Sequence, residues 1–373
     1  MNLLRTPADL FGARLIPPER LPELEAVAAR YAVAITPEVA ALIDPRNPAD
    51  PIARQFVPDE RELERDPSER EDPIGDATYS PVQGIVHRYP DRVLLKPLHA
   101  CAVYCRFCFR REMVGPKGLG TLPPEALEAA LAYIESRPQI WEVIVTGGDP
   151  LMLSPRRLRD LVRRLAAIEH VKVVRFHSRV PVVDPSRITQ ALVRALKAPG
   201  KASYVAIHAN HPRELTPAAR AAIARLADAG LPLLGQTVLL RGINDDAETL
   251  AALMRGLVEN RIKPYYLHHG DLAPGTAHLR TSLEEGQALM RSLRGRLSGL
   301  CQPDYVLDIP GGHGKAPIGP RYLQRTESGC EIEDWQGGRH QYPPSGLTDH
   351  PGRSEAESRE PALSRSAGAL DPG

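Results

Sequence analysis

The chain has 373 residues, enough for one large domain with a sizeable core or for two ordinary ones. Its 47 Lys and Arg nearly cancel 46 Asp and Glu, for a formal net charge of +1, so no global field attracts nucleic acid or an anionic membrane surface. The start "MNLLRTPADLFGARLIPPERL" has no basic stretch leading into an apolar run, and no later segment reaches the about 18 consecutive apolar residues of a membrane span, so a soluble cytoplasmic protein is expected.

Residues 1–80 read as an N-terminal helical extension, with short helical patterns in "PELEAVAARYA" and "TPEVAALI". The segment "PDERELERDPSEREDPIGD" is polar and is expected on the surface. From Val93 to about Leu297 the pattern becomes regular. The apolar runs "VLLKPL", "WEVIVT", "VKVVRF", "SYVAIH", "GQTVLL" and "PYYLH" read as buried strands separated by amphipathic helices. In "SPRRLRDLVRRLAAIEH", Ser154 suits the N-cap, Pro155 the first helical position, and Leu158, Leu161, Val162, Leu165 and Ile168 form one apolar stripe. The helix of "TPAARAAIARLADAG" starts at Thr216-Pro217 and ends at Gly230 in the same way.

Strand–helix units in succession point to a parallel sheet covered on both faces, either an open doubly wound sheet or a closed or partial barrel. In both, chemistry collects at the C-terminal ends of the strands. Cys101, "TGGDP", "HSR", "HANHP" and Asp271 all fall there, which favours one convergent site at a barrel mouth.

The stretch "CAVYCRFCFRRE" carries three of the five cysteines, Cys101, Cys105 and Cys108, in a C-x3-C-x2-C spacing. Four thiolates would close a zinc site or fully ligate a [4Fe–4S] cluster, whereas three leave one iron open for chemistry. Ordinary buried thiols, or a zinc site completed by Cys301 or Cys330, are the competing readings. Further on, "YVLDIPGGHGKAPIG" runs from a strand into a glycine loop ending at Lys315. It is not a Walker loop, because Ala316 follows the lysine and offers no hydroxyl for magnesium. A structural turn and a Schiff-base lysine remain. Residues 341–373 lack apolar periodicity and are expected to be a disordered tail.

These pieces resemble a known family. The cysteine loop, with Phe107 before its last cysteine, is similar to the cluster motif of radical S-adenosylmethionine (SAM) enzymes. "HRYPDRVLL", "CRFCFRR", "SRVPVV", "NHPRELT", "TVLLRGIND", "PYYLHHGDL" and "LDIPGGHGK" look like lysine 2,3-aminomutases in order and spacing, with His313 replacing a glycine of the lysine loop. The resemblance implies a partial (βα)6 TIM-like α/β barrel over residues 81–300, with a pyridoxal-lysine segment at 301–340. It implies a [4Fe–4S] cluster on Cys101, Cys105 and Cys108, with SAM held by Gly147, Gly148, Asp149, Ser178, His208 and Gln236. Pyridoxal 5′-phosphate (PLP) would be bound covalently by Lys315 and held by Arg88, Tyr89 and Arg92. Arg110 would take the α-carboxylate of L-lysine, and Asp271 and Asp308 its ε-ammonium; Arg111 would be a neighbouring structural charge.

The implied reaction moves the α-amino group from C2 to C3 to give β-lysine, with an electron donor such as flavodoxin or ferredoxin as partner. No zinc is expected, because only Cys330 lies where longer relatives carry a cysteine cluster, and a homo-oligomer is left open. The short chain, "CFRR" and "GGDPLM" look like the branch that makes (R)-β-lysine for elongation factor P, while Asp308 in "LDIPGGHGK" looks like the free-lysine enzymes. Action on another amino acid, or a non-catalytic iron–sulfur and SAM sensor, are the remaining alternatives.

Overall fold

The computed structural model describes residues 2–114, 120–326 and 329–343. The chain divides into two compact units, residues 1–320 and 321–373. The first contains a nine-stranded sheet whose spatial order follows the sequence, β1 to β9. Its strands are β1 (Ile85–Tyr89), β2 (Arg92–Leu98), β3 (Glu142–Gly147), β4 (Val173–Ser178), β5 (Ala202–His208), β6 (Leu233–Val238), β7 (Ile262–His268), β8 (Asp304–Ile309) and β9 (Gly314–Pro317). Pairing is parallel from β2 through β8, and β1 and β9 add antiparallel edges. The arrangement is a nearly closed, parallel-rich α/β barrel, and β2 to β7 are the strands read from the apolar runs.

Helices cover the outside. In Pro155–Ala167 the Ser154 hydroxyl accepts from the Arg157 amide, and Leu158, Leu161, Val162 and Leu165 are buried. Thr216 caps Pro217–Asp228 in the same way, and Gly230 adopts φ +79° just past its end. The N-terminal extension holds the helices Pro7–Gly12 and Leu21–Arg30 and shorter turns. Its Leu10, Leu24, Ile35, Ile52 and Phe56 are fully buried in the same hydrophobic core as the strands of the barrel. The extension thus shares one continuous hydrophobic core with the barrel.

Three sequence expectations change. The polar segment 58–76 is not all surface, because Glu62 is fully buried and Asp76 is 6% exposed; both are paired with arginines, which is what makes burial tolerable. Lys315 is on strand β9 and not on a mobile loop. Gly311 and Gly312, at φ +87° and +84°, reverse the chain between β8 and β9, so the glycines make the turn and the lysine follows it. In the second unit, β10 (Leu323–Thr326), β11 (Gly329–Glu333) and β12 (Arg339–Tyr342) form an antiparallel sheet. Gln341 and Tyr342, expected in the tail, therefore belong to a strand, and the rest of the expected tail, from residue 344, lies outside the described residues. No helix among the described residues is long and apolar enough to cross a membrane.

Candidate active site at the barrel mouth

A cavity of about 450 Å³ opens at the C-terminal ends of the parallel strands. Its wall contains every site residue named from the sequence: Cys101, Cys105, Cys108, Arg88, Tyr89, Arg92, Gly147, Gly148, Asp149, Ser178, His208, Gln236, Arg110, Asp271, Asp308 and Lys315.

The cysteine loop leaves β2 and is held by the N-terminal extension. The Tyr104 amide donates to the Ala34 carbonyl at 3.0 Å, and the Arg106 amide to Gln55 at 2.8 Å. Arg106, 2% exposed, donates through Nε to both oxygens of Glu62 at 2.9 and 3.1 Å, and through Nη1 to the Ala32 carbonyl at 2.8 Å. Arg111 bonds the same Glu62 carboxylate and lies over the Tyr31 ring at 3.6 Å. Burial alone would push the Glu62 carboxyl above its ordinary range, but the two guanidiniums outweigh it and hold the carboxyl below that range. Arg111 is thus a structural charge with a defined partner. The thiols sit in apolar surroundings, and burial pushes Cys105 up to about 11. Arg179 offsets part of that rise by donating through Nη1 to Cys105 Sγ at 3.5 Å.

The glycines of "TGGDP" are required by contact with this loop. The Gly148 amide donates to the Leu98 carbonyl at 2.7 Å, and the Asp149 amide to Ala100 at 2.9 Å. A Cβ at Gly148 would lie 2.4 Å from the Ala100 carbonyl oxygen, and Gly147 adopts φ +107°. Asp149 is a brace: its carboxylate accepts from Ser178 Oγ at 2.8 Å and from the amides of Leu151, Arg179 and Val180 at 3.0, 2.7 and 3.2 Å. Ser178, ending β4, is thereby fixed to the loop after β3. His208 ends β5 and Gln236 lies near the end of β6, where its Nε2 meets His268 Nε2 at 3.1 Å. Burial, together with the neighbouring His268 and Arg179, drops His208 to about 3, so it is neutral at physiological pH.

The other wall is built by strand pairing. β8 and β9 set Asp308 opposite Lys315, and Lys315 Nζ donates to both Asp308 oxygens at 2.7 Å. His268 Nδ1 and Arg88 Nη1 stand 3.7 and 3.8 Å from the same carboxylate. Burial opposes ionisation of Asp308, but His268 and Lys315 prevail and hold it far below the usual carboxylate range. Asp271 has the opposite fate. Burial and the repulsion of Asp308 outweigh Lys315 and Arg110, and its carboxyl is raised to about 7. Tyr89 reaches across from β1, and its hydroxyl accepts from the Lys315 amide at 2.7 Å. Arg92 lies over the Tyr89 ring at 3.8 Å and pairs with Asp91. Arg88 donates to the Ile74 carbonyl at 2.5 Å and to Asp76 at 3.2 Å. Arg110 is bonded to Asp76 through Nε and Nη2.

Sequence reasoning missed Asp76, Glu62 and Arg179. Arg179 stood in the quoted "SRVPVV", but the two acids lie in a polar stretch with no periodicity to mark them. Cys301 is buried before the N-terminal end of β8, at the opposite end of the parallel strands from the cysteine loop. Among the described residues no group of three His, Cys, Asp or Glu side chains converges on a single-ion position. The three thiols share a cavity wall, an arrangement that suits a multi-iron cluster larger than one ion. The residues also fit the two organic groups. Among the described residues Arg88 Nε and His177 Nε2 are buried in the cavity wall without a hydrogen-bond partner. The first suits a phosphate and the second a polar ligand.

The sequence profile of the radical SAM superfamily, whose members use a [4Fe–4S] cluster and SAM, matches residues 95–254. The chain is 44% identical over 291 residues to L-lysine 2,3-aminomutase of Acetoanaerobium sticklandii, covering 78% of this chain and 70% of that protein. It is 37% identical to the putative L-lysine 2,3-aminomutase of Aquifex aeolicus, over 87% of this chain and 88% of that one. Glutamate 2,3-aminomutase of Clostridioides difficile is 36% identical over 84% of this chain and 74% of its own length. With its cysteine loop, glycine brace and cavity in place, the chain belongs to the lysine 2,3-aminomutase family of radical SAM isomerases.

Proposed function

We propose that this protein is a PLP-dependent aminomutase that converts L-lysine to β-lysine. One observation carries the substrate: Asp271 and Asp308 line the same cavity as Arg110 and Lys315, and the charge of Asp308 helps raise the Asp271 carboxyl. Two carboxylates sharing a cavity with Arg110 suit an amino acid with a carboxylate at one end and an ammonium at the other. A glutamate side chain would bring its carboxylate against the ionised Asp308 and the partly ionised Asp271, a repulsion that a low-dielectric cavity strengthens.

When bound, SAM on the cluster supplies a carbon-centred radical that removes and returns hydrogen, and PLP supplies a conjugated carbonyl carrier for the migrating nitrogen. Cys101, Cys105 and Cys108 would hold the cluster, with Gly147, Gly148, Ser178, His208 and Gln236 around SAM and Asp149 bracing them. Arg88 and Arg92 would take the phosphate, and Tyr89 would fix the backbone beside Lys315. Arg110 binds the α-carboxylate in this reading. Asp308 accepts from the Lys315 ammonium and would also be an acceptor for the substrate's distal ammonium. Asp271 supplies the second acceptor. The buried wall excludes water from the radical chemistry.

The test is anaerobic reconstitution with iron, sulfide, PLP, SAM and a reductant, followed by incubation with L-lysine and chiral analysis. β-Lysine is the expected product, and its configuration separates the free-lysine enzyme, (S), from the translation-linked one, (R). Formation of β-glutamate from glutamate, without β-lysine from lysine, would overturn the substrate assignment. Cluster assembly and SAM binding with no pyridoxyl group on Lys315 after borohydride reduction would favour the sensor.

A further inference from the structure

Asp76 lies where cations from three parts of the chain meet. Its Oδ2 accepts from Nε and Nη2 of Arg110 at 3.0 and 2.8 Å, and its Oδ1 from Nη2 of Arg88 at 3.2 Å. Nζ of Lys96, on β2, stands 3.9 Å from Oδ2. The loop that carries Asp76 is itself tied down. The Asp72 carboxylate accepts from the Asp76 and Ala77 amides at 2.8 Å, and Ser80 Oγ donates to the Asp76 carbonyl at 2.7 Å. Next to it, Gly75 at φ +71° lies so close to the turn before Lys315 that a Cβ would be 2.5 Å from the Gly312 nitrogen. One short loop therefore touches the arginine after the cysteines, the arginine on β1 and the turn that precedes the lysine.

The bonding pattern has a chemical consequence. Nε and Nη2 form one edge of the Arg110 guanidinium, and both are taken by a single carboxylate oxygen. Nη1 and the second Nη2 hydrogen form the other edge, which has the spacing of a carboxylate. The Phe109 ring, 4.3 Å from the guanidinium carbon, limits its rotation. Arg110 is 9% exposed and lines the cavity.

We propose that Asp76 is a positioning residue that turns the free edge of Arg110 toward the substrate's α-carboxylate, and so makes the site selective for α-amino acids over their α-carboxamides. The proposal rests on the reading that Arg110 receives that carboxylate. Asp76 also offsets one of the three cations grouped there, so that an incoming carboxylate meets an oriented donor pair in place of a diffuse positive patch. Without it Arg110 loses the partner that fixes its plane, and Arg88 and Lys96 repel it.

The test compares L-lysine with L-lysinamide as probes of the reconstituted enzyme, by equilibrium titration. Cluster absorbance, pyridoxyl trapping on Lys315 and the thermal midpoint establish that each variant is intact. Asp76→Asn is expected to weaken L-lysine on the order of tenfold while changing L-lysinamide less than about twofold. Asp76→Glu, which keeps the charge, is expected to recover part of the acid-over-amide preference, and it decides the matter if the asparagine variant does not fold. Equal weakening of both probes, or an unchanged preference in a folded variant, overturns the proposal. A wild-type protein that binds lysinamide as tightly as lysine removes the role of Arg110 and the proposal with it. If another amino acid binds best, the lysine assignment falls, and the same comparison with that amino acid and its α-amide still decides the role of Asp76.

Discussion

The two walls of the cavity are built by different means. The cysteine wall is held by long-range charge pairing: Glu62 lies 44 and 49 positions from Arg106 and Arg111, and the contacts to Ala32 and Gln55 also come from the N-terminal extension. The lysine wall is centred on a local pair. Asp308 and Lys315 are seven positions apart and face each other because two adjacent strands are in register. A loop without regular structure needs outside anchors to present three thiols to one volume, whereas strand pairing orients side chains as a by-product of its own hydrogen bonds. Damage to the first wall should unfold or empty it, and damage to the second should spare the fold and change the chemistry.

The largest effect expected is at Lys315. Lys315→Ala should reduce β-lysine formation to background and abolish pyridoxyl labelling under borohydride, with cluster absorbance retained; persistent labelling would place the covalent lysine elsewhere. Next comes the contrast between Glu62 and Asp308. Glu62→Ala leaves two buried guanidiniums without their anion and should cost about 3–5 kcal/mol in denaturant titrations, with loss of iron. Asp308→Asn faces a partly exposed lysine and should cost only about 1 kcal/mol while weakening L-lysine binding. Equal costs would erase the distinction between the walls.

Gly148→Ala drives a methyl into the Ala100 backbone and should lose about 1–3 kcal/mol, whereas Gly299→Ala, with nothing within 4 Å, should be near neutral. The smallest effect is a pH dependence at Asp271. Its carboxyl titrates near 7 in the folded protein against 3.8 as the ordinary value, so the folded state binds the proton more tightly. Its contribution to stability is full below about pH 4 and is lost as pH rises through about 7. In the cofactor-free protein Asp271→Asn should therefore gain on wild type between those values and hold the gain above them. A constant gap across the range would contradict the raised carboxyl.

The barrel was legible because its strands are short apolar runs with helices of clear stripe between them, and that signal is local. The cysteine loop, "TGGDP" and the Asp308–Lys315 segment were legible through spacing and resemblance. What the sequence could not show was burial decided by a distant partner. Nothing in "PDERELERDPSEREDPIGD" separates Glu62 and Asp76 from their solvated neighbours, because the arginines that neutralise them lie outside it, between 12 and 49 positions away. Lys315 was misread for a related reason. Glycines on both sides suggested a loop, yet three of them serve positive-φ positions at a strand reversal.

The contact between the Tyr89 hydroxyl and the Lys315 amide joins the first strand of the sheet to the last, 226 residues apart. This lacing ties the two sheet edges by side chains, and it cannot form until nearly the whole first unit has left the ribosome. The cysteine loop and its anchors in the N-terminal extension are complete some two hundred residues sooner. During synthesis the protein therefore acquires the means to bind iron well before it can place the lysine. A chain ended before Lys315 should retain the thiol pocket with an open seam, and the final strand acts as the step that commits the fold to its chemistry.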